Sequence, residues 1–216
     1  MPTLILIRHG QSAHHVNGMT GGWTDSPLTA RGRQQATLLA ARLTSALTGR
    51  ALRLISSDLT RTRQTAEIIG APLGLPAELA PALREYNNGR AAGLTRTAAR
   101  TLRQSITHTP LDGRPFPEAE SWREFYQRVT GYLTELTREL TVTTLLVTHF
   151  GTINNIVVWW LQLPIHNQRR PWTYCAVDPT SLTVLQTNSQ GEHVLGRLND
   201  TAHLAGTGLS DWGLVN

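Results

Sequence analysis

The 216-residue chain contains no lysine: all 20 of its basic residues are arginine, set against 15 Asp and Glu. Charged residues make up only 16 % and aromatic residues only 6 %. The arginines are dispersed, with only Arg169 and Arg170 adjacent, so the net charge of +5 builds no basic arm for gripping nucleic acid. Arginine without lysine suits planar, two-pronged recognition of phosphate or carboxylate, although a genome-wide coding bias gives the same composition. A small anionic substrate fits this distribution better than a polyanion.

A single cysteine, Cys175, excludes an internal disulfide framework and any four-thiolate zinc site. Long hydrophobic runs are also missing. The longest, residues 156–161, falls far short of the roughly 20 residues that a membrane-spanning helix needs. The apolar run at residues 3–7 has neither the preceding positive charge nor the small-residue cleavage site of a signal peptide. We therefore expect a cytoplasmic protein with no membrane partner. With 40 % hydrophobic residues, the chain can fold as a single domain over residues 1–216 without disulfide or metal.

What is present is an alternation of strand-like and helix-like segments. Residues 4–7, 52–55 and 144–147 read as short buried strands. Helices are expected over residues 28–47, 59–69, 118–140 and 153–161, the second with Ser56, Ser57 or Asp58 as its N-cap. In the third, Trp122, Phe125, Val129, Tyr132, Leu133, Leu136 and Leu140 recur at helical spacing. Residues 181–187 and 193–198 read as a hairpin. Residues 71–117, rich in Pro, Gly, Thr and Arg, form an irregular helical insertion suited to capping a pocket. The predicted fold is α/β, a three-layer α/β/α sandwich around a mainly parallel sheet.

Two strands end in histidine. The first runs into Arg8-His9-Gly10 and the third into Thr148-His149-Phe150-Gly151. In open α/β sheets, ligands bind beyond the carboxyl ends of the strands, so this pairing marks a site.

Around this pair the chain resembles the histidine phosphatase, or phosphoglycerate mutase-like, superfamily. The likeness rests on ordered blocks: Leu6-Ile7-Arg8-His9-Gly10-Gln11-Ser12, Gly22-Trp23-Thr24-Asp25-Ser26-Pro27-Leu28-Thr29, Ser57-Asp58-Leu59-Thr60-Arg61, Leu83-Arg84-Glu85, Val147-Thr148-His149 and Leu198-Asn199-Asp200-Thr201-Ala202-His203-Leu204. The resemblance implies that His9 attacks phosphorus to form a phosphohistidine that water then releases, with Glu85 as general acid and base. It implies a phosphate pocket drawn from Arg8, Arg61, His149, His15, Asn17 and Gly22. A backbone carbonyl is expected to fix the tautomer of His9. No cofactor and no metal are implied, the arginines supplying the charge a metal supplies elsewhere. His14, His108, His166, His193 and His203 are expected to be structural or superficial.

Departures from the family pattern narrow the expectation. His15 stands where mutases and many phosphatases carry Asn, with Asn17 two residues later. Gly21 stands where mutases place Ser or Thr. Tyr86, Asn87 and Asn88 replace the Arg-His-Tyr that follows the mutase glutamate, and Phe150 replaces a Gly. These losses favour a phosphatase acting on a small phosphorylated metabolite over a mutase. A catalytically silent binding protein is the third alternative, and a homodimer is left open. Trp159, Trp160, Trp172 and Tyr174 are candidates for specificity or for a subunit interface.

Overall fold

Along the central strands, successive side chains face two different helical layers. A computed structural model of the protein describes residues 3–106, 109–165 and 175–210. The elements are β1 (Thr3–Arg8), α1 (Ala13–Val16), α2 (Ala30–Leu47), β2 (Leu52–Ser56), α3 (Thr60–Gly70), β3 (Glu78–Leu79), α4 (Arg96–Thr101), α5 (Trp122–Arg138), β4 (Thr143–Thr148), α6 (Phe150–Trp160), β5 (Leu182–Thr187) and β6 (His193–Asp200). They form one six-stranded sheet in the order β3-β2-β4-β1-β5-β6. Only β5 runs against the other strands.

Leu4 and Leu6 of β1 join Leu146 and Leu185 under Phe125, Val129 and Leu133 of α5 and Ile153 and Ile156 of α6. Ile5 and Ile7 point the other way. With Leu54, Leu145 and Val147 they pack on Leu39 and Leu43 of α2 and on Ala66 and Ile69 of α3. The period-two alternation of a strand thus builds two cores, one on each sheet face. This is the α/β sandwich that the sequence predicts.

The element ends differ from expectation for local reasons. Helix α2 begins at Ala30, where the Thr29 side chain accepts from Gly32 N. Helix α3 uses none of the three expected caps, since its N-cap is Leu59. Ser56 Oγ donates to the Ser57 carbonyl, Ser57 Oγ faces His149, and Asp58 pairs with Arg84. The free helix end is capped from a distant loop instead. Both oxygens of Asp25 accept from Thr60, from its N–H and its Oγ1, each at 2.7 Å. Helix α5 is shorter than expected, because Glu118 has φ +62° and the Ser121–Glu124 capping box starts the helix at Trp122. Helix α6 starts at Phe150, three residues before the expected position, with His149 as its N-cap.

Residues 71–117 are irregular, as expected, but they also supply the edge strand β3 and carry Glu85 back to the sheet. Among the described residues no helix is long and apolar enough to cross a membrane. His108, His166, Trp172 and Tyr174 lie outside the described residues. Trp160 is a core residue whose ring stacks on His193 at 4.0 Å.

Candidate active site

Strands β1 and β4 are parallel neighbours, with Arg8 opposite Thr148. The next residue on each, His9 and His149, therefore leaves the sheet at the same edge, and His9 N–H donates to Thr148 O at 3.0 Å. Helix α2, the first long helix after β1, and α6, which follows β4, cover opposite faces, so a crevice opens between the two strand ends. The two rings meet edge to face, with centroids 5.2 Å apart.

His9 has a defined tautomer. Its Nδ1 lies 2.7 Å from the Gly10 carbonyl, which can only accept, so the proton is on Nδ1 and the lone pair on Nε2. Arg61 Nε donates to that lone pair at 3.2 Å. Burial first, then the charge of Arg61, hold the imidazole well below its ordinary pKa. A neutral ring with its lone pair on Nε2 is the form a nucleophile requires.

Arg61 is 1 % exposed, the second residue of α3. Its Nη1 donates to Thr24 O at 2.8 Å and its Nη2 to Gly22 O at 2.7 Å. Gly22 enables this by its backbone, with φ +60°, and a Cβ there would meet Asn88 Oδ1 at 2.5 Å and Tyr86 O at 2.6 Å. Desolvation lowers the guanidinium to about 10, so it remains a cation near neutrality.

His149 is fully buried, and its Nε2 lies 3.0 Å from Ser57 Oγ. That oxygen also accepts from Leu59 N at 3.5 Å, and its second lone pair and its proton suit either tautomer of His149. Nδ1 is buried and has no partner among the described residues. A buried ring nitrogen without a protein partner is placed to meet a ligand. Burial, then Arg61, keep this ring well below its ordinary pKa.

Arg8 donates from Nη1 to Val177 O at 2.6 Å and lies 5.6 Å over the Phe150 ring. Its Nη2 is 3.3 Å from His15 Nε2, and the His15 ring stacks nearly parallel to His9 at 5.5 Å. Phe150 thus forms an apolar wall that steadies Arg8. Asn17, expected in the pocket, stands exposed at the C-cap of α1, where its Oδ1 accepts from Met19 N. It makes no hydrogen bond to the cluster. His14, expected to be structural, is buried with its ring 4.1 Å from His15 and 6.1 Å from His9. An adjacent pair of histidines five and six residues after His9 was the available signal.

Glu85 reaches the N-terminus of α6. Tyr86 N donates to Oε1 at 2.9 Å and Gly151 N to Oε2 at 2.8 Å. The Glu85 carbonyl accepts from Trp23 Nε1 at 2.7 Å and from Arg128 Nη2 at 3.2 Å. Arg128 also donates to the carbonyls of Ala82 and Arg84 and pairs with Glu120. Nothing in the sequence of α5 singled out Arg128, because the carbonyls it holds lie more than 40 residues away. His203 bonds Thr180 Oγ1, apart from the cluster, and Asp200 holds Arg42 through both oxygens.

The arrangement gathers one lone-pair nitrogen, two guanidinium groups and several N–H donors around a space, with few acceptors among them. Such a set of donors suits a compact anion with several oxygens.

Comparison with known proteins agrees with this chemistry. Residues 4–201 match the family model described as histidine phosphatase superfamily (branch 1). Over 213 residues the chain is 35 % identical to a protein of Yersinia enterocolitica named probable phosphoglycerate mutase, covering 94 % of this chain and 95 % of that one. It is also similar to the α-ribazole phosphatase from Shigella flexneri, with TM-score 0.77, 26 % identity and coverage of 92 % and 96 % of the two chains. A mycobacterial glucosyl-3-phosphoglycerate phosphatase aligns with TM-score 0.74 and 26 % identity over 92 % of this chain and 98 % of its own. The sheet order, the histidines at two neighbouring strand ends and the family match agree: the chain belongs to the histidine phosphatase superfamily, branch 1.

Proposed function

We propose that the protein is a metal-independent phosphomonoesterase that works through a phosphohistidine on His9 and hydrolyses a small phosphorylated metabolite. The observation that carries this reading is the tautomer of His9, whose lone pair on Nε2 meets Arg61. When a phosphoryl oxygen enters, Arg61 Nε gains a charged acceptor and releases the lone pair. His9 Nε2 then attacks phosphorus, the P–O ester bond breaks, and Glu85 gives its proton to the leaving oxygen. Arg8, Arg61, His149 and His15 stabilise the charge on the equatorial oxygens. In the second half, Glu85 takes a proton from water, water attacks phosphorus, the P–N bond breaks, and inorganic phosphate leaves with the lone pair back on Nε2.

A mutase must retain the phosphoryl group for a second acceptor. Tyr86 and Asn88 argue against that, since Tyr86 OH is committed to the Glu120 carbonyl and Asn88 Oδ1 accepts from Trp23 N. Neither offers the cationic grip that a phosphoglycerate carboxylate needs. Among the relatives, the α-ribazole and glucosyl-3-phosphoglycerate phosphatases favour a phosphorylated sugar-like alcohol as the substrate class. The test is phosphate release from sugar phosphates, nucleotides, phosphoglycerates and α-ribazole phosphate, with EDTA present. Release by the wild type and none by His9→Ala supports the reading; interconversion of phosphoglycerates without net release overturns it.

A further inference from the structure

Ser12 sits between two histidines and sets the proton on one of them. Both Ser12 and Ser26 are buried, at 0 % and 8 % exposure, and their hydroxyls lie 3.0 and 2.9 Å from His14 Nδ1. The Ser12 hydroxyl also accepts from His15 N–H in a capping box, but neither hydroxyl proton has another acceptor among the described residues. Each carries one proton that needs an acceptor. A protonated Nδ1 would leave both of those protons stranded, whereas a lone pair there accepts them and moves the ring proton to Nε2. The Nε2 edge of His14 occupies the room left by the missing side chain of Gly21, 3.5 Å from where a Cβ would stand. That edge has no hydrogen-bond partner among the described residues.

His15 shows the matching arrangement. The N–H of the same Ser12 donates to His15 Nδ1 at 3.2 Å, which leaves the proton on Nε2 facing Arg8 Nη2 at 3.3 Å. An oxygen anion beside these two groups would accept from both. Ser12 therefore holds His14 with its hydroxyl and His15 with its backbone, and both rings present Nε2–H, the reverse of His9.

We propose that His14 is a substrate-binding residue, its Nε2–H a neutral donor to a phosphoryl oxygen beside the donors of Arg8 and His15, and that Ser12 is the positioning residue that selects this tautomer. The inference rests on the phosphomonoesterase reading above and extends it to a residue which that reading does not use. It also names what the pocket prefers: a compact phosphoryl dianion with three oxygens to distribute among His14, His15, His149 and the two arginines.

The test is long-range ¹H–¹⁵N spectroscopy on the whole protein labelled in histidine, with the His14 and His15 signals identified by their loss in His14→Gln and His15→Gln. The expected result is an Nε2–H tautomer at His14 and a shift of that nitrogen when inorganic phosphate or orthovanadate is added. Ser12→Ala should give a mixed His14 tautomer, and Ser12→Thr, which keeps the hydroxyl, should restore the wild-type spectrum. With p-nitrophenyl phosphate, His14→Leu should raise KM about tenfold or more, the loss of one hydrogen bond to a charged group, with a smaller change in kcat. An Nδ1–H tautomer at His14 overturns the proposal. So does a titration in which phosphate shifts His9 and leaves His14 unmoved, while the hydrolase reading stands. If the wild type neither hydrolyses phosphate esters nor binds phosphate, the hydrolase reading itself fails and His14 loses its role with it.

Discussion

The backbone N–H of Gly151 donates to one oxygen of Glu85 at 2.8 Å, and the other oxygen fills the space where a side chain at Gly151 would stand. A Cβ there would clash with Glu85 Oε1 and stand 3.2 Å from the Phe125 ring. Gly151→Ala should therefore push the carboxyl group out of line without touching the phosphate donors. The expected outcome is a kcat lowered by about 10²-fold on an alkyl phosphate, the usual scale of a general acid, and a much smaller loss on p-nitrophenyl phosphate, whose leaving group needs no proton. Equal losses on both substrates would contradict the role of Glu85.

Arg128 fastens the same segment from the other side, through the carbonyls of Ala82, Arg84 and Glu85. Its guanidinium also lies 5.1 Å over Phe125 and 6.0 Å over Trp23. Arg128→Met keeps apolar bulk against those rings but removes every donor. Urea unfolding should show a loss of about 1–3 kcal/mol, the scale for carbonyls left without partners. Kinetics should show the same leaving-group dependence as Gly151→Ala. An Arg128→Met protein that is less stable but has unchanged kcat on alkyl phosphates would make Arg128 purely structural.

The buried histidines give stability a pH dependence of known sign. Burial, with the nearby arginines adding to it, lowers His14 to about 3 and His15 to about 2, and pushes His9 and His149 in the same direction. Above the ordinary value of 6.5 each ring is neutral in both folded and unfolded chains and stability is at its full value. Below it the unfolded chain takes up protons that the folded one refuses, so stability falls as pH falls toward the folded values. Each histidine contributes a slope of about 1.4 kcal/mol per pH unit in this window. The thermal midpoint should drop steeply between about pH 6 and 4, and less steeply in His15→Gln. A midpoint that is flat over that range would contradict the burial of these rings as neutral groups.

How much of this was legible in the sequence depends on how far apart the partners lie. Leu4 to Ile7 alternate between the two cores, and His9 and His149 follow strands that pair in register, so local pattern sufficed to find them. The helix start at Thr29 lay within two residues of expectation because its cap is local, whereas a remote cap is illegible. Asp25 caps Thr60 from 35 residues away, a contact that no spacing rule announces. The holders of Glu85 are remote in the same sense, Gly151 lying 66 residues on and Arg128 lying 43 residues on. By count His15 stands at the family's Asn position, with Asn17 two residues later as the alternative. The short turn of α1 separates them, directing His15 onto His9 and leaving Asn17 to cap the turn. Sequence supplied the residue types of the site, and tertiary packing decided which of them meet.

The central claim is that His9 Nε2 bonds covalently to phosphorus, and trapping that bond tests it most directly. The protein would be mixed with a ³²P-labelled phosphate ester in EDTA, quenched in base on the millisecond scale, and digested for peptide mapping. The account predicts a base-stable, acid-labile label on the peptide that carries His9, chased to inorganic phosphate on longer incubation and absent from His9→Asn. Label on any other residue, or hydrolysis at an undiminished rate by His9→Asn, would contradict it.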